Sequence, residues 1–502
     1  MTLSVAQPKD TILPTYSHKL SVIEKVGYSL GDLAANLIFQ TLLTFLAFFY
    51  TDVYGISAGK ATAIIAFGGL FGAFFTPVMG IIADRTQTRW GKFRPWILWT
   101  SIPFGAVALL AFSTPNFGDN GKVIYAFVTY IALLMIYAAN NLPYSALSGV
   151  LTSSMTERNS LSSYRFVAVM VAQFVIQVLL LPLVLILGDG DKATGFHNTM
   201  LLFSIVGTIF FLITFATTKE RILPVSTKRN AILVDVTDLF KNMPWVIMLL
   251  VTILIFITLA LKGGMYIYYF ENYLNEAQLA LFLQNIGFND LITNLNHVLN
   301  SLGLSSFKWP KDAPTSAFSV FNGVGIIMMI VGIGFSKKLA DTFGKRNVFG
   351  SALFLSTLFV LVFKFLSANS IGLVFLSQIL HGFFYGITIP LLWAMIADVA
   401  DYSEWKNNRR ATAIIFSAMI LGLKVGLTIG GSLVAGLLAH YGYDASLHVQ
   451  NADTIEGIKT AVSLFASLPF FLAVGCLAFY GINKQVENQI EEDLNARRRS
   501  AQ

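Results

Sequence analysis

Apolar residues in this chain gather into long unbroken runs separated by short polar stretches. The alternating and one-sided patterns of soluble strands and helices are missing. Runs long enough to cross a bilayer as helices fall at about 27–51, 59–83, 94–114, 121–148, 163–188 and 197–217. A second set falls at about 243–270, 317–336, 347–368, 372–399, 410–438 and 460–483. The pattern predicts an all-α polytopic membrane protein of twelve transmembrane helices. Its bundles would occupy 1–218 and 243–502, joined by a connector at 219–242. A strand barrel is excluded because the runs are continuous. The stretch after the seventh run is too long for a simple loop. Leu279, Leu283 and Ile286, then Leu291, Leu295, Val298 and Leu302, predict two short amphipathic helices there. This outer-side insert at 271–316 suits a lid or a packed ornament, and the pattern leaves both open.

Composition agrees. The 502 residues are 55% hydrophobic and only 12% charged, so the surplus apolar surface has to face lipid. The net charge of +7 sits in the loops, which points to membrane topology and away from nucleic acid. Arg85, Arg89, Lys92 and Arg94 follow the second run, and Lys337, Lys338, Lys345 and Arg346 follow the eighth. With the connector and tail they mark one side, predicted to be cytoplasmic together with both termini, in a multi-pass cell membrane protein. Met1 to His18 has no apolar core, so no cleaved secretory signal is expected. The single cysteine, Cys476, allows no disulfide within the chain, and the six histidines show no metal-ligand spacing. No metal or cofactor is expected, and no catalytic residues are. A polytopic enzyme and a receptor or scaffold are the rivals to a transporter.

The two bundles share a motif. Ala83-Asp84 with Gly91-Lys92 follows the second run, and Ala340-Asp341 with Gly344-Lys345 follows the eighth. Repeated halves suggest two bundles rocking about a central site. Asp84, beside Arg85 and Arg89, is read as a gate residue; for Asp341 a gate and a plain loop role weigh equally. Further marks are Arg89-Trp90-Gly91-Lys92-Phe93-Arg94-Pro95-Trp96, Phe49-Tyr50-Thr51-Asp52, Asn141-Leu142-Pro143-Tyr144, Tyr164-Arg165-Phe166, Lys262-Gly263-Gly264 and Ala397-Asp398-Val399-Ala400-Asp401-Tyr402. In these segments the chain resembles the glycoside–pentoside–hexuronide:cation symporter family of the major facilitator superfamily, to which the melibiose permease belongs. The resemblance implies that superfamily's fold and transport of a sugar, glycoside or hexuronide by alternating access, with a monomer as the working unit.

Ionisable groups inside apolar runs are functional candidates by default. Asp32 in the first run is the clearest, and the resemblance implies that it binds sugar hydroxyls. Lys424 lies near the middle of the eleventh run and is predicted to neutralise Asp32 from the opposite bundle in at least one state. Arg165 opens the fifth run and is assigned to the cavity or gate, as the resemblance at Tyr164-Arg165-Phe166 favours. Lys262 suits contact with an anionic substrate and a structural role equally. His381 reads as a hydrogen-bonded packing histidine, and Lys364 as snorkelling. Asp398, Asp401 and Glu404 share one helical face and are read as a gate network, with Lys406, Arg409 and Arg410 as candidate partners. Asn36 and Asn141 offer hydrogen bonds to hydroxyls. Tyr137 and Trp393 are the aromatic candidates for stacking on a sugar ring.

One departure matters. The resemblance implies cation-binding carboxylates before the prolines of the second and fourth runs. Those places hold Gly72, Thr76 and Asn141, and no Asp or Glu occurs from Gly55 to Ile82 or from Lys122 to Met155. Neutral oxygens alone hold a desolvated Na⁺ poorly. Proton coupling and uncoupled transport are therefore expected ahead of Na⁺ coupling.

Overall fold

The computed structural model describes residues 19–152, 155–221, 241–301, 308–407 and 412–500. Its helices supply twelve spans. The first six are Val22–Phe48, Ala58–Arg85, Arg94–Ala111, Asp119–Leu151, Met155–Phe174 continued by Leu180–Leu187, and Lys192–Thr217. The second six are Met243–Tyr268, Ala313–Phe343, Lys345–Val362, Ile371–Asn407, Thr412–His440, and Ala452–Thr460 continued by Ala466–Leu477. Eleven are long and apolar enough to cross a membrane by length and composition. The remaining one, span three, has 18 residues and opens on the polar Arg94. It packs between spans four and six. Most of the connector, 222–240, lies outside the described residues.

Helix starts are set by side-chain caps, which satisfy backbone N–H groups that no helical carbonyl reaches. Asp312 accepts from the N–H of Thr315 at 2.8 Å, so span eight begins at Ala313, earlier than its apolar run. The same span runs on past Lys337 and Lys338 to Gly344, whose φ of 83° ends it. Asn451 accepts from Thr454 N–H at 2.8 Å and starts span twelve at Ala452, well before the apolar run. Spans one and seven both end in five-residue π turns, Phe49–Val53 and Tyr269–Tyr273, at matching places in the two halves.

We call the face that carries the first and last described residues proximal and the opposite face distal. On the distal face the halves are joined by polar contacts. Tyr443 donates to Asp52 at 2.5 Å, Thr51 and Tyr268 share a hydrogen bond of 2.8 Å, and Lys192 meets Glu271 at 3.0 Å. Phe45 on Phe318 and Phe48 on Tyr268 add edge-on ring contacts across the same seam. The insert forms two helices, Glu276–Asn285 and Phe288–Ser301. The first buries Leu279 and Leu283 against its own half, and its Phe282 ring meets Phe375 of span ten; the second buries no residue.

Contacts on the proximal face tie each half to itself. Arg221 binds Glu24 through both guanidinium nitrogens at 2.6 and 3.0 Å. Lys25 pairs with Glu157 at 2.9 Å. Glu220 was not singled out by the sequence. Its carboxylate accepts from the backbone N–H groups of Lys92, Phe93 and Arg94 at 2.9, 2.7 and 2.8 Å, closing the start of span three. Gly91, with φ of 114°, makes room for it: a Cβ there would lie 2.4 Å from the Glu220 carboxyl carbon. Replacing Glu220 with Ala should cost about 1–2 kcal/mol, the scale of a lost cap. Gly91→Ala should do at least as much. Thermal unfolding in detergent micelles checks both, and unchanged melting of either variant would refute this reading of the loop.

Candidate functional site

Spans one, two, four, seven and eleven enclose a cavity of about 90 Å³ between the halves. It is lined by Phe39, Gly72, Tyr137, Gly264 and Lys424, among others. Span eleven reaches it because small residues let it lie close to span seven: a Cβ on Gly426 or Gly430 would sit 2.5 or 2.4 Å from a carbonyl oxygen of Ile253 or Ile257. Span two approaches span eleven from the other half, with Gly69 against Thr428.

The central contact across the halves is a hydrogen bond from Lys424 Nζ to Thr76 Oγ1, 2.7 Å long. Thr76 donates in turn to the carbonyl of Gly72 at 2.8 Å. The lysine therefore meets a neutral hydroxyl at one of the places where the resemblance expects a carboxylate.

Asp32 has a different partner in this conformation. It is 4% exposed, and Arg165 Nε donates to its Oδ2 at 2.9 Å. Asn36, one turn on, donates to the Asp32 carbonyl at 2.8 Å and to Oδ1 at 3.3 Å. The Arg165 guanidinium lies 5.8 and 5.3 Å from the ring centres of Tyr28 and Tyr144. Those rings stack at 4.6 Å, and each hydroxyl donates to the other residue's carbonyl, at 3.0 and 2.7 Å. Spans one, four and five are thereby locked around one buried ion pair.

Helix rise places these groups at one depth. Asp32 lies ten residues inside the proximal end of span one, Arg165 ten inside span five, Asn141 ten inside span four and Thr76 nine inside span two. At 1.5 Å per residue this is a layer about 14–15 Å deep. Lys424, twelve residues inside span eleven, adds about 18 Å by the same measure, and its side chain reaches Thr76.

The other candidates divide. Tyr137 lines the cavity and stacks on Phe39 with ring centres 5.2 Å apart. Asn141 is half-buried, without a hydrogen bond among the described residues, while its buried neighbour Asn140 donates to Thr100 at 2.8 Å. Trp393 is 38% exposed and outside the cavity lining. Lys262 turns to His381, with the Tyr266 and Tyr385 rings each 5.8 Å from its ammonium. His381 Nδ1 is bonded to Ser356 Oγ at 2.8 Å. Lys364 pairs with Glu456 at 2.5 Å.

Among the gate candidates, Asp398 is held by Lys345 at 2.8 Å, and Lys345 also pairs with Glu487 of the tail helix Lys484–Ser500 at 2.6 Å. Asp401 and Glu404 continue the same helix and are half-buried. Arg409 and Arg410 lie outside the described residues, as does the side chain of Asp84. Arg85 is exposed beside it, and Arg89 stacks over its neighbour Trp90 at 4.6 Å.

Comparison with known proteins places this architecture. The family described as MFS/sugar transport protein matches residues 27–292 and 313–484, with the break falling in the insert. The inner membrane symporter YicJ of Escherichia coli (strain K12) is 32% identical over 489 residues, 97% of each chain. The isoprimeverose transporter of Lactiplantibacillus pentosus is 31% identical and covers 94% of this chain and 91% of its own. In fold alone, a solved proton-dependent oligopeptide transporter superposes with a TM-score of 0.61 at 10% identity, over 94% of this chain and 100% of that one. The nucleoside transporter NupG gives 0.56 at 15%, over 91% and 100%. The fold and cleft are those of a secondary transporter. The chain belongs to the glycoside–pentoside–hexuronide:cation symporter family of the major facilitator superfamily, and it moves a sugar or glycoside across a membrane. The enzyme reading is thereby set aside.

Arg165→Met would leave Asp32 buried without its cation and should cost about 3–5 kcal/mol. Adding Asp32→Asn to that variant should restore most of the stability and none of the sugar binding. Melting curves with and without a bound sugar check both halves of this expectation; restored binding in the double variant would remove Asp32 from the site.

Proposed function

We propose that this transporter moves its sugar without Na⁺, because the Lys424 ammonium occupies the place of the coupling cation. The Lys424–Thr76 hydrogen bond carries this reading. Thr76 offers one neutral oxygen, Gly72 none from a side chain, and Asn141 an amide. A bare Na⁺ beside a lysine would meet repulsion and find no net negative charge to offset its lost water. Asp32 is held by Arg165 and stands ready to accept hydrogen bonds from sugar hydroxyls.

The proximal face is the cytoplasmic one, by the excess of Lys and Arg in its loops, so both termini are cytoplasmic. The distal seam closed by Asp52–Tyr443, Thr51–Tyr268 and Lys192–Glu271 then shuts the cleft from the outside. Opening outward would separate these pairs, and a single chain holds both halves of every one. We take the monomer as the working unit.

Two energy sources fit the remaining groups: a proton, carried on Asp32 or another acid, and the sugar gradient alone. Purified protein in sealed vesicles with labelled sugars separates them. Counterflow should appear without Na⁺, an imposed Na⁺ gradient should add no accumulation, and a pH gradient should add accumulation only if a proton is carried. Accumulation driven by Na⁺ would overturn the proposal.

A further inference from the structure

The second insert helix, Phe288–Ser301, is sharply two-sided. Phe288, Leu291, Ile292, Leu295, Val298 and Leu299 share one face, and Asn289, Thr293, Asn296 and Asn300 lie on the other. Much of the apolar face is uncovered among the described residues: Leu291 is 62% and Val298 54% exposed. One edge of that face borders a groove of about 280 Å³. Leu295 and Leu299 line it from the insert, and Leu179, Leu183 and Ile186 of span five line it from the other half. Trp309 belongs to the same lining. Its ring meets Phe288 edge-on at 5.9 Å, its backbone N–H donates to Asn296 at 3.1 Å, and its indole N–H donates to Ser316 at 3.0 Å. These bonds fix the insert's wall of the groove to the start of span eight.

Depth says what fills the groove. Span five ends at Leu187, so Leu179 to Ile186 lie within about 12 Å of its distal end. Half of a bilayer's hydrocarbon core is about 15 Å deep. The groove thus opens among the acyl chains of the distal leaflet, and the exposed Val171 and Phe174 carry the apolar surface further down the same span. A helix patterned like Phe288–Ser301 lies along the membrane interface with its polar face toward the headgroups, and Trp is favoured at that level. Lys308 and Lys311 stand on either side of Trp309 in the chain. Both are exposed and have no ion pair among the described residues, while the neighbouring Asp312 is spent on the Thr315 cap. We propose that this groove binds an anionic phospholipid of the distal leaflet. One acyl chain lies between span five and the insert helix, and the phosphate meets Lys308 and Lys311. One wall comes from each half, so the bound chain bridges the halves beside the closed distal seam.

The test uses purified full-length protein in detergent micelles and its tryptophan fluorescence. Phosphatidylglycerol with a brominated acyl chain is titrated in, because bromine quenches an indole only at close range. The difference between wild type and Trp309→Phe isolates the share of Trp309. That share should be quenched to a plateau. Phosphatidylcholine with the same brominated chain should need about threefold more lipid to reach half of it. Lys308→Ala combined with Lys311→Ala changes two exposed side chains and should bring the two lipids level. Leu183→Phe combined with Leu295→Phe fills the groove and should abolish the plateau for both lipids. Absence of quenching at Trp309 in wild type would overturn the proposal. So would quenching that only follows the bulk lipid content, alike in wild type and in the filled variant. Half-quenching of wild type at equal amounts of the two lipids would overturn it as well.

Discussion

A charge buried in a membrane protein must find an opposite charge, a polar partner or water. Asp32 finds Arg165, and the pair is wrapped by the stacked rings of Tyr28 and Tyr144. Lys424 finds a hydroxyl. The difference between those two solutions organises the protein. The first closes on itself and binds spans one, four and five into a unit. The second bridges the halves with a polar contact that, among the described residues, brings no carboxylate to the charge.

Around this layer, the backbone is arranged to hold each half rigid and let the halves part. Glycines bring span eleven against the carbonyls of span seven, so Lys424 is fixed to its own bundle. Glu220 and Arg221 fasten the proximal end of the first half, and Lys345 with Glu487 fastens that of the second. On the distal face the bonds run between the halves instead. Contacts within a half survive rocking, and contacts between halves define which side is shut.

Much of this was legible in the linear pattern. Apolar runs of bilayer length marked every span, and the absence of acids in spans two and four set those places apart from the pattern the resemblance implies. Asp32 and Lys424 stood out because charges are rare in such runs. What the pattern could not reveal was pairing. Asp32 was matched with Lys424 by sign and by half; here Arg165 from the same half is nearer, as ten residues of rise in two neighbouring helices bring them level. Glu220 escaped notice because a carboxylate after a helix end looks like any solvated charge. Its role exists only once the loop at Gly91 turns three N–H groups toward it. Lys345 and Glu487 joined Asp398 for a similar reason: the tail helix folds back across the ends of spans eight and ten. Trp393 lies outside the cavity lining, and twelve helices rich in aromatics give no phase by which to choose a cavity-facing ring.

The link between Lys424 and Thr76 has a consequence for timing. Its donor is anchored to span seven through span eleven, and its acceptor belongs to the first bundle. Whenever the bundles tilt enough to part spans two and eleven at that level, the ammonium is surrendered to whatever has entered the gap. One side chain thus belongs by its anchor to one bundle and by its hydrogen bond to the other.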